Sequence, residues 1–257
     1  MACFFKNSCG TQRFPAHVMM VVSSAIFVFF TFSDSYSQEP LDSDIAKALR
    51  KVVKCEKIEV KTKPENNKGG KLKALLIRLV APPKQILPAD YVTVQYTNPD
   101  IDLISLKNSN SFKVKSYSNF KIGVLVSEQT IQNEFKKTAK RLNFTYNKLL
   151  IKFTPPYIEV EFDVPATAIP LKDRKLVEKF IKNKRLEGYA TLRLEIQDNK
   201  IIASPVKVIL NHFLVPMPLV SEFKKRINPI YQIQRIRPFN YNLVKVDILK
   251  QHIFFSN

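Results

Sequence analysis

The chain reads as an α+β protein in which long antiparallel strands form a curved sheet and a few amphipathic helices pack on it. Two patterns predict this. Apolar and polar residues alternate with period two through YVTVQY (91–96) and YIEVEFDV (157–164), the mark of strands with one buried face. Between such segments, SEQTIQNEFKKTAKRL (127–142) and PMPLVSEFKKRI (216–227) space their apolar residues along one stripe of a helix.

Taken in order, SDIAKALRKVV (43–53) sets Ile45, Ala48, Leu49, Val52 and Val53 at helical spacing, with Ser43 or Asp44 as cap. After the polar turn KPENNKGG (63–70), KLKALLIRLV (71–80) reads as a strand that stops at Pro82-Pro83. SFKVKSYSNFKIGVLV (111–126) is long enough for one bent strand or two. Ser127 caps a helix whose stripe is Ile131, Phe135, Ala139 and Leu142, with Lys136, Lys137, Lys140 and Arg141 elsewhere on it.

A hairpin follows from FTYNKLLIKF (144–153) through Pro155-Pro156 to YIEVEFDV, where Ile158, Val160, Phe162 and Val164 share one face and Tyr157, Glu159, Glu161 and Asp163 the other. The next runs from GYATLRLEI through QDNK to IIASPVKVIL (188–210), with Ala190, Leu192, Leu194 and Ile196 toward the core. PMPLVSEFKKRI carries Leu219, Val220, Phe223 and Ile227 on its inner stripe, and NLVKVDILKQHIFF (242–255) closes the chain as a strand or strand pair. No exact repeat is present, although strand, helix and hairpin recur in loosely similar order in both halves.

Lys6 and Arg13 precede an uncharged apolar run from Val18 to about Phe32, followed by SDSYSQEP with Ser35 and Ser37 as a small-x-small site. This is the pattern of a secretory signal peptide over residues 1–37, with one domain over 38–257. An uncleaved anchor and a buried helix are the other readings, although a membrane span needs roughly 20 apolar residues. Cys3 and Cys9 would leave with the signal, so Cys55 alone remains and neither an intrachain disulfide nor a zinc cluster can form from cysteines. Cys55 itself reads as a single packed thiol.

The signal holds Lys6, Arg13 and Asp34, so the +19 formal charge, from 41 Lys+Arg against 22 Asp+Glu, belongs almost wholly to the domain. Such a surplus draws a protein to anionic lipid, an acidic polymer or nucleic acid. Nucleic acid is not the expected partner, because the chain shows no standard reading motif and a secreted protein would rarely meet it.

No catalytic set emerges, and a non-enzyme is expected. Gly69, Gly70, Gly123 and Gly188 form no phosphate loop, and His212 and His252 stand in no metal-ligand or triad spacing, so no metal and no cofactor are expected. Glu159 and Glu161 could be taken for paired carboxylates, but an alternating solvent face accounts for them. The NFT at Asn143 is a sequon that matters only in a glycosylating host.

The sharpest local feature is LKDRKLVEKFIKNKR (171–185). Leu176, Val177, Phe180 and Ile181 make a narrow apolar stripe flanked by Lys172, Arg174, Lys175, Lys179, Lys182, Lys184 and Arg185. It reads either as a helix lying in the headgroup region of an anionic bilayer or as a surface helix packed on the sheet. Lys224, Lys225 and Arg226 in FKKRI allow the same two readings.

Several stretches occur in an order that resembles the LmeA-like phospholipid-binding family: RLVAPPKQILPADYVTVQYTNPDIDL (78–103), VLVSEQTIQNEF (124–135), NKLLIKFTPPYIEVEF (147–162), ATLRLEIQDNKIIASPVKVILN (190–211), VPMPLVSEFKKRINPI (215–230) and LVKVDILKQHIFF (243–255). The strongest piece is Ile227-Asn228-Pro229 after a helix, and the strand-to-helix junction at Ser127 comes next. The resemblance spans most of residues 41–255. The chain departs from the pattern in its basicity, its few glycines and the 171–185 insertion.

The resemblance implies a tubular lipid-binding-like fold and a secreted, periplasmic protein of the bacterial cell envelope that binds phospholipid in an apolar groove, in lipid transfer or envelope maintenance. The groove would be lined from the inward set Ile131, Phe135, Val160, Phe162, Leu192, Leu194, Phe223 and Ile227, each of which serves equally as plain core. Asn228-Pro229 would end a helix, with Ile230, Ile233 and Ile236 buried and Arg226, Arg235 and Arg237 outward to meet phosphates of an anionic membrane surface. The other reading is an envelope scaffold that holds an anionic polymer or a protein through its basic faces.

Overall fold

An antiparallel pairing that lines up alternating segments puts their apolar residues in rows across one face. The computed structural model shows two large sheets built this way, and it describes residues 39–65, 70–82, 88–141, 143–169, 174–175, 177–233, 238–239 and 242–257. The chain divides into units Met1–Tyr36 and Ser37–Asn257. The expected signal over 1–37 lies outside the described residues, as do Lys172, Leu176, Arg235, Ile236 and Arg237 and the side chain of Arg226.

The first sheet joins β1 (Lys57–Pro64), β2 (Leu72–Val80), β3 (Tyr91–Thr97), β6 (Asn119–Ser127), β13 (Lys245–Ile248) and β14 (His252–Ser256) in the order β1-β2-β3-β6-β14-β13. One row, Ile58, Leu79, Val92, Val124, Phe255 and Val246, crosses all six strands. Helix α1 (Glu39–Val52) brings Ile45, Ala48 and Leu49 into the same core. The second sheet runs β11 (Phe213–Leu214), β10 (Lys200–Leu210), β9 (Arg185–Gln197), β8 (Tyr157–Pro165), β7 (Lys148–Thr154), and β12 (Tyr231–Gln232) also pairs with β10. A small pair, β4 (Asp100–Ile101) and β5 (Val114–Ser116), flanks helix α2 (Leu103–Ser109).

The α+β class and the curved antiparallel sheet expected from the sequence are both present, one of the sheets being strongly curled into a half-barrel. A bulge marks β10, where Val206 is the extra residue between Pro205 and Lys207. Bulges bend a strand and raise its twist, and proline is tolerated in a sheet at such a point.

Helix α3 (Glu128–Arg141) links the two sheets. Its start is fixed by Ser127, whose hydroxyl accepts the Thr130 N–H at 3.2 Å, and by Asp90, which accepts from the Ser127 and Thr130 hydroxyls. Farther along, the Glu128 carboxylate accepts the Phe153 N–H at 3.0 Å and the Gln132 amide donates to the Ile151 carbonyl at 3.0 Å. These side chains satisfy the outer edge of β7, which among the described residues has a strand on one side only. Helix α4 (Met217–Ile227) packs along β10.

Several expectations need correction. Helix α1 is already running at Glu39, so Ser43 and Asp44 do not cap it; Asp42 instead accepts from the buried Thr62 hydroxyl at 2.6 Å. The 171–185 segment is no continuous amphipathic helix. Its described part is helical at 174, 175 and 177 and then tightens into a 3-10 turn, Glu178–Phe180. Asn183 and Lys184 take positive φ, 51° and 59°, which a right-handed helix cannot hold.

Ile230, 46% exposed, does not bury as expected, whereas Ile233 does. The chain there runs as an edge strand beside β10, so the period is two and not three. Ile227, the last residue of α4, is 41% exposed and off the inner stripe, because Asn228 turns the chain toward Ala203.

Asn228 does this with its carboxamide, which accepts the Ala203 N–H at 2.7 Å and donates to the Ala203 and Lys224 carbonyls at 2.7 and 2.8 Å. It closes the helix and pairs the edge of β10 at once. Replacing it with alanine leaves part-buried backbone groups of Ala203 unpaired, a loss of about 1–3 kcal/mol. We therefore expect Asn228→Ala to lower the urea midpoint with an unchanged slope, whereas Asn110→Ala at the exposed end of α2 moves it less.

Candidate functional site

The inner face of β7 to β10 carries the candidate site. Ile151, Val160, Ala190 and Val208 lie in one row across the four strands, as do Phe153, Ile158, Leu192 and Pro205 in the next. In a covered sheet the central strands bury most. Here the order is reversed in the first row: Ile151 and Val208 at its ends are buried, while Val160 and Ala190 between them stay partly open.

Two different partners cover this face. The core under the first sheet takes in Ile151, Phe153, Ile158, Leu194 and Ile201. A second cluster takes the other end, where Val177, Phe180, Val215 and Val220 close on Val164, Leu186 and Leu210. Where the two clusters meet, Val160, Phe162, Ala190 and Leu192 are only partly buried and form an apolar strip, the trough of the candidate site.

Of the residues expected to line a groove, Val160, Phe162 and Leu192 lie in this strip. Ile131, Val160 and Leu192 are partly buried against the first cluster, and Phe162 and Phe223 against the second. Phe135 stands edge-on to Phe144 and Tyr146, at 6.5 and 5.7 Å between ring centres. Leu194 is buried in the first core, and Ile227 is exposed.

The structure adds Ala190 and Gly188, whose signal in the sequence was the small-residue pair flanking Tyr189. A Cβ at Gly188 would sit 2.1 Å from the tip of the Phe162 ring, so the missing side chain is what lets the outer edge of that ring reach β9 there.

The opposite face of the same strands carries the charged residues and holds a cavity of about 340 Å³ lined by Lys148, Glu161, Asp163, Glu187, Tyr189, Asn211 and His212 together with Phe162, Gly188 and Ile209. Its charges are locally paired. Lys148 meets Glu161, and Arg185 meets Asp163, which also accepts from Asn147 at 3.3 Å. Glu159 sits opposite Lys152 in the ladder, so the alternating solvent face expected for Glu159 and Glu161 is the arrangement found. The hydrogen bonds from Arg185, then that from Asn147, hold the Asp163 carboxyl below the usual aspartate value against the opposing effect of burial.

The expected cationic residues fall in two places. Lys175, Lys179 and Lys182 are exposed in the 174–185 segment, with Arg174 half-buried there, and Lys182 lies 4.7 Å above the Phe213 ring. Lys224 and Lys225 are exposed on α4, where Lys225 pairs with Glu222 at 2.8 Å. Among the described residues, no helix is long and apolar enough to cross a membrane, and no cluster of three metal-ligating side chains occurs.

Compared with known proteins, the chain matches no family model, no curated protein and no solved structure.

The Asp163 pair gives a pH signature. A carboxyl whose folded pKa is lowered contributes stability above its unfolded value of about 4 and loses it as the pH falls through the folded value. In a carboxyl-carbon NMR titration Asp163 should hold its charge to lower pH than an ordinary aspartate, and Arg185→Gln should raise its midpoint. The stability gap between wild type and Arg185→Gln should then narrow below about pH 4.

Proposed function

We propose that the protein binds phospholipid non-covalently, as a secreted protein of the bacterial envelope, periplasmic and engaged in lipid transfer or envelope maintenance. The observation that carries the reading is the partly open strip on a largely buried apolar face, at Val160, Phe162, Ala190 and Leu192. An acyl chain laid there would cover what the two core clusters leave partly open, at about 0.8 kcal/mol per CH₂ removed from water. Phe223 beside the trough supplies aromatic surface to the chain. Lysines on α4 and on the 174–185 segment supply cations for a phosphate headgroup, which ammonium and guanidinium groups engage with charge-assisted hydrogen bonds. The likeness to the LmeA-like family in the motifs quoted above supports the same reading.

Native mass spectrometry of delipidated protein offered phosphatidylglycerol tests it. Wild type should take up phospholipid in a fixed stoichiometry, and Ala190→Leu, which fills the trough with apolar atoms, should bind it about tenfold more weakly, the effect of about 1.4 kcal/mol. Delipidated wild type that takes up none would sink the proposal and leave the envelope scaffold, holding an anionic polymer or protein by its basic faces. Binding of that kind would fade with salt, whereas lipid held by apolar burial would persist.

A further inference from the structure

The tight turn after β10 exposes apolar side chains that the trough does not use. Asn211 and His212 both take positive φ, 44° and 69°, and reverse the chain in two residues. Past the turn, Phe213 is 51% exposed, Leu214 67% and Met217 68%. They do not hang on a loose loop: Val215 between them is buried and its N–H bonds the Val208 carbonyl at 2.9 Å. The apolar groups therefore project from a fixed edge of the sheet.

The cations of the 174–185 segment are held to this same tip. The buried Asn211 side chain donates to the Phe180 and Arg185 carbonyls and accepts the Glu187 N–H at 3.0 Å, clasping the 3-10 turn to the hairpin. That places Lys182 over the Phe213 ring, with Lys179 and Lys184 exposed nearby in the same short stretch. His212 and Lys207 on the hairpin are exposed too, and the exposed acids of the two segments are Glu178 and Glu187. Cations dominate the surroundings of the apolar tip.

From this arrangement we propose that Phe213, Leu214 and Met217 form a wedge that enters the interface of an anionic phospholipid bilayer while the surrounding lysines contact its headgroups. An apolar apex with ammonium groups beside it matches the layering of such a surface, with acyl chains beneath phosphates. A second copy docked on the same patch would bring two lysine clusters together, which like-charge repulsion opposes. A soluble polyanion would engage the lysines and leave the apolar apex in water. The inference rests on the lipid-binding reading and deepens it, since docking here would bring the trough to its ligand's source.

The test uses the full chain with vesicles of phosphatidylcholine, with and without phosphatidylglycerol. Hydrogen exchange should show new protection over 211–219 with the anionic vesicles, and Leu214→Ser/Met217→Ser should sediment with them roughly tenfold less. Both proteins carry the same N-terminal segment, so their difference reports the tip alone. Lys179→Glu/Lys182→Glu should abolish the preference for phosphatidylglycerol.

Equal sedimentation of the serine variant and wild type, or binding that follows salt and ignores Leu214 and Met217, overturns the wedge. The two readings separate cleanly. Phospholipid taken up in mass spectrometry with vesicles ignored overturns the docking alone, and tip-dependent vesicle binding with an empty trough overturns the trough alone.

Discussion

The inner face of β7 to β10 is longer than either partner that covers it, and the rest of the molecule is arranged around that mismatch. Strand β9 has 13 residues, which at about 3.3 Å each span roughly 43 Å. One end of the face joins the core beneath the first sheet, and the other needs cover of its own. That cover is assembled from short pieces, the 3-10 turn at Glu178–Phe180 and the first turns of α4, neither of which could bury its apolar side chains alone. Two covers meeting over one face leave a seam, and the seam falls on Val160, Phe162, Ala190 and Leu192.

Short pieces of cover hold their places through side chains that act as backbone. Asn211 ties the 3-10 turn to β9, Asn228 pairs with Ala203 of β10, and Glu128 with Gln132 occupies the free edge of β7. Asn257 does the same for β6, accepting the Ile122 N–H at 2.9 Å and donating to the Phe120 carbonyl at 3.1 Å. Carboxamides suit the task because they carry both a donor and an acceptor in peptide-like geometry. Asn228 at Ala203 and Glu128 with Gln132 at β7 also occupy strand edges where a further strand would otherwise add, so the same contacts limit edge-to-edge association.

What the sequence disclosed follows from how local each signal is. The alternation in YIEVEFDV and the Ser127 cap are set within a few residues, and both were legible. Helix α2 was missed although Asp102 caps it through the Ser105 N–H at 3.1 Å, because seven residues are too short a run to show a helical stripe. β1 was missed for a related reason: its lysines and glutamate face solvent at an edge strand and mask the buried Ile58 and Thr62. The 171–185 segment has helical spacing, yet tertiary contact through Asn211, far off in sequence, breaks it. Trough and tip were the least legible, since both depend on which residues of neighbouring strands lack cover, and cover is decided by elements distant in the chain.

Charge is distributed by the same logic. On the strands the acids are met by cations close at hand, Lys57 with Glu59 at 2.7 Å and Lys245 with Asp247 at 2.8 Å as well as the pairs on β7 to β9. Residues 174–184, in contrast, set one acid, Glu178, against Arg174, Lys175, Lys179, Lys182 and Lys184. The surplus is thus concentrated beside the hairpin tip. At physiological ionic strength fields fade over about 8 Å, so those cations steer an anionic partner only within contact range. Exposed pairs contribute little once made, typically under about 1 kcal/mol, and a durable contact needs apolar area besides. Phe213, Leu214 and Met217 are where the fold holds that area in reserve, next to the charge that would bring a bilayer to it.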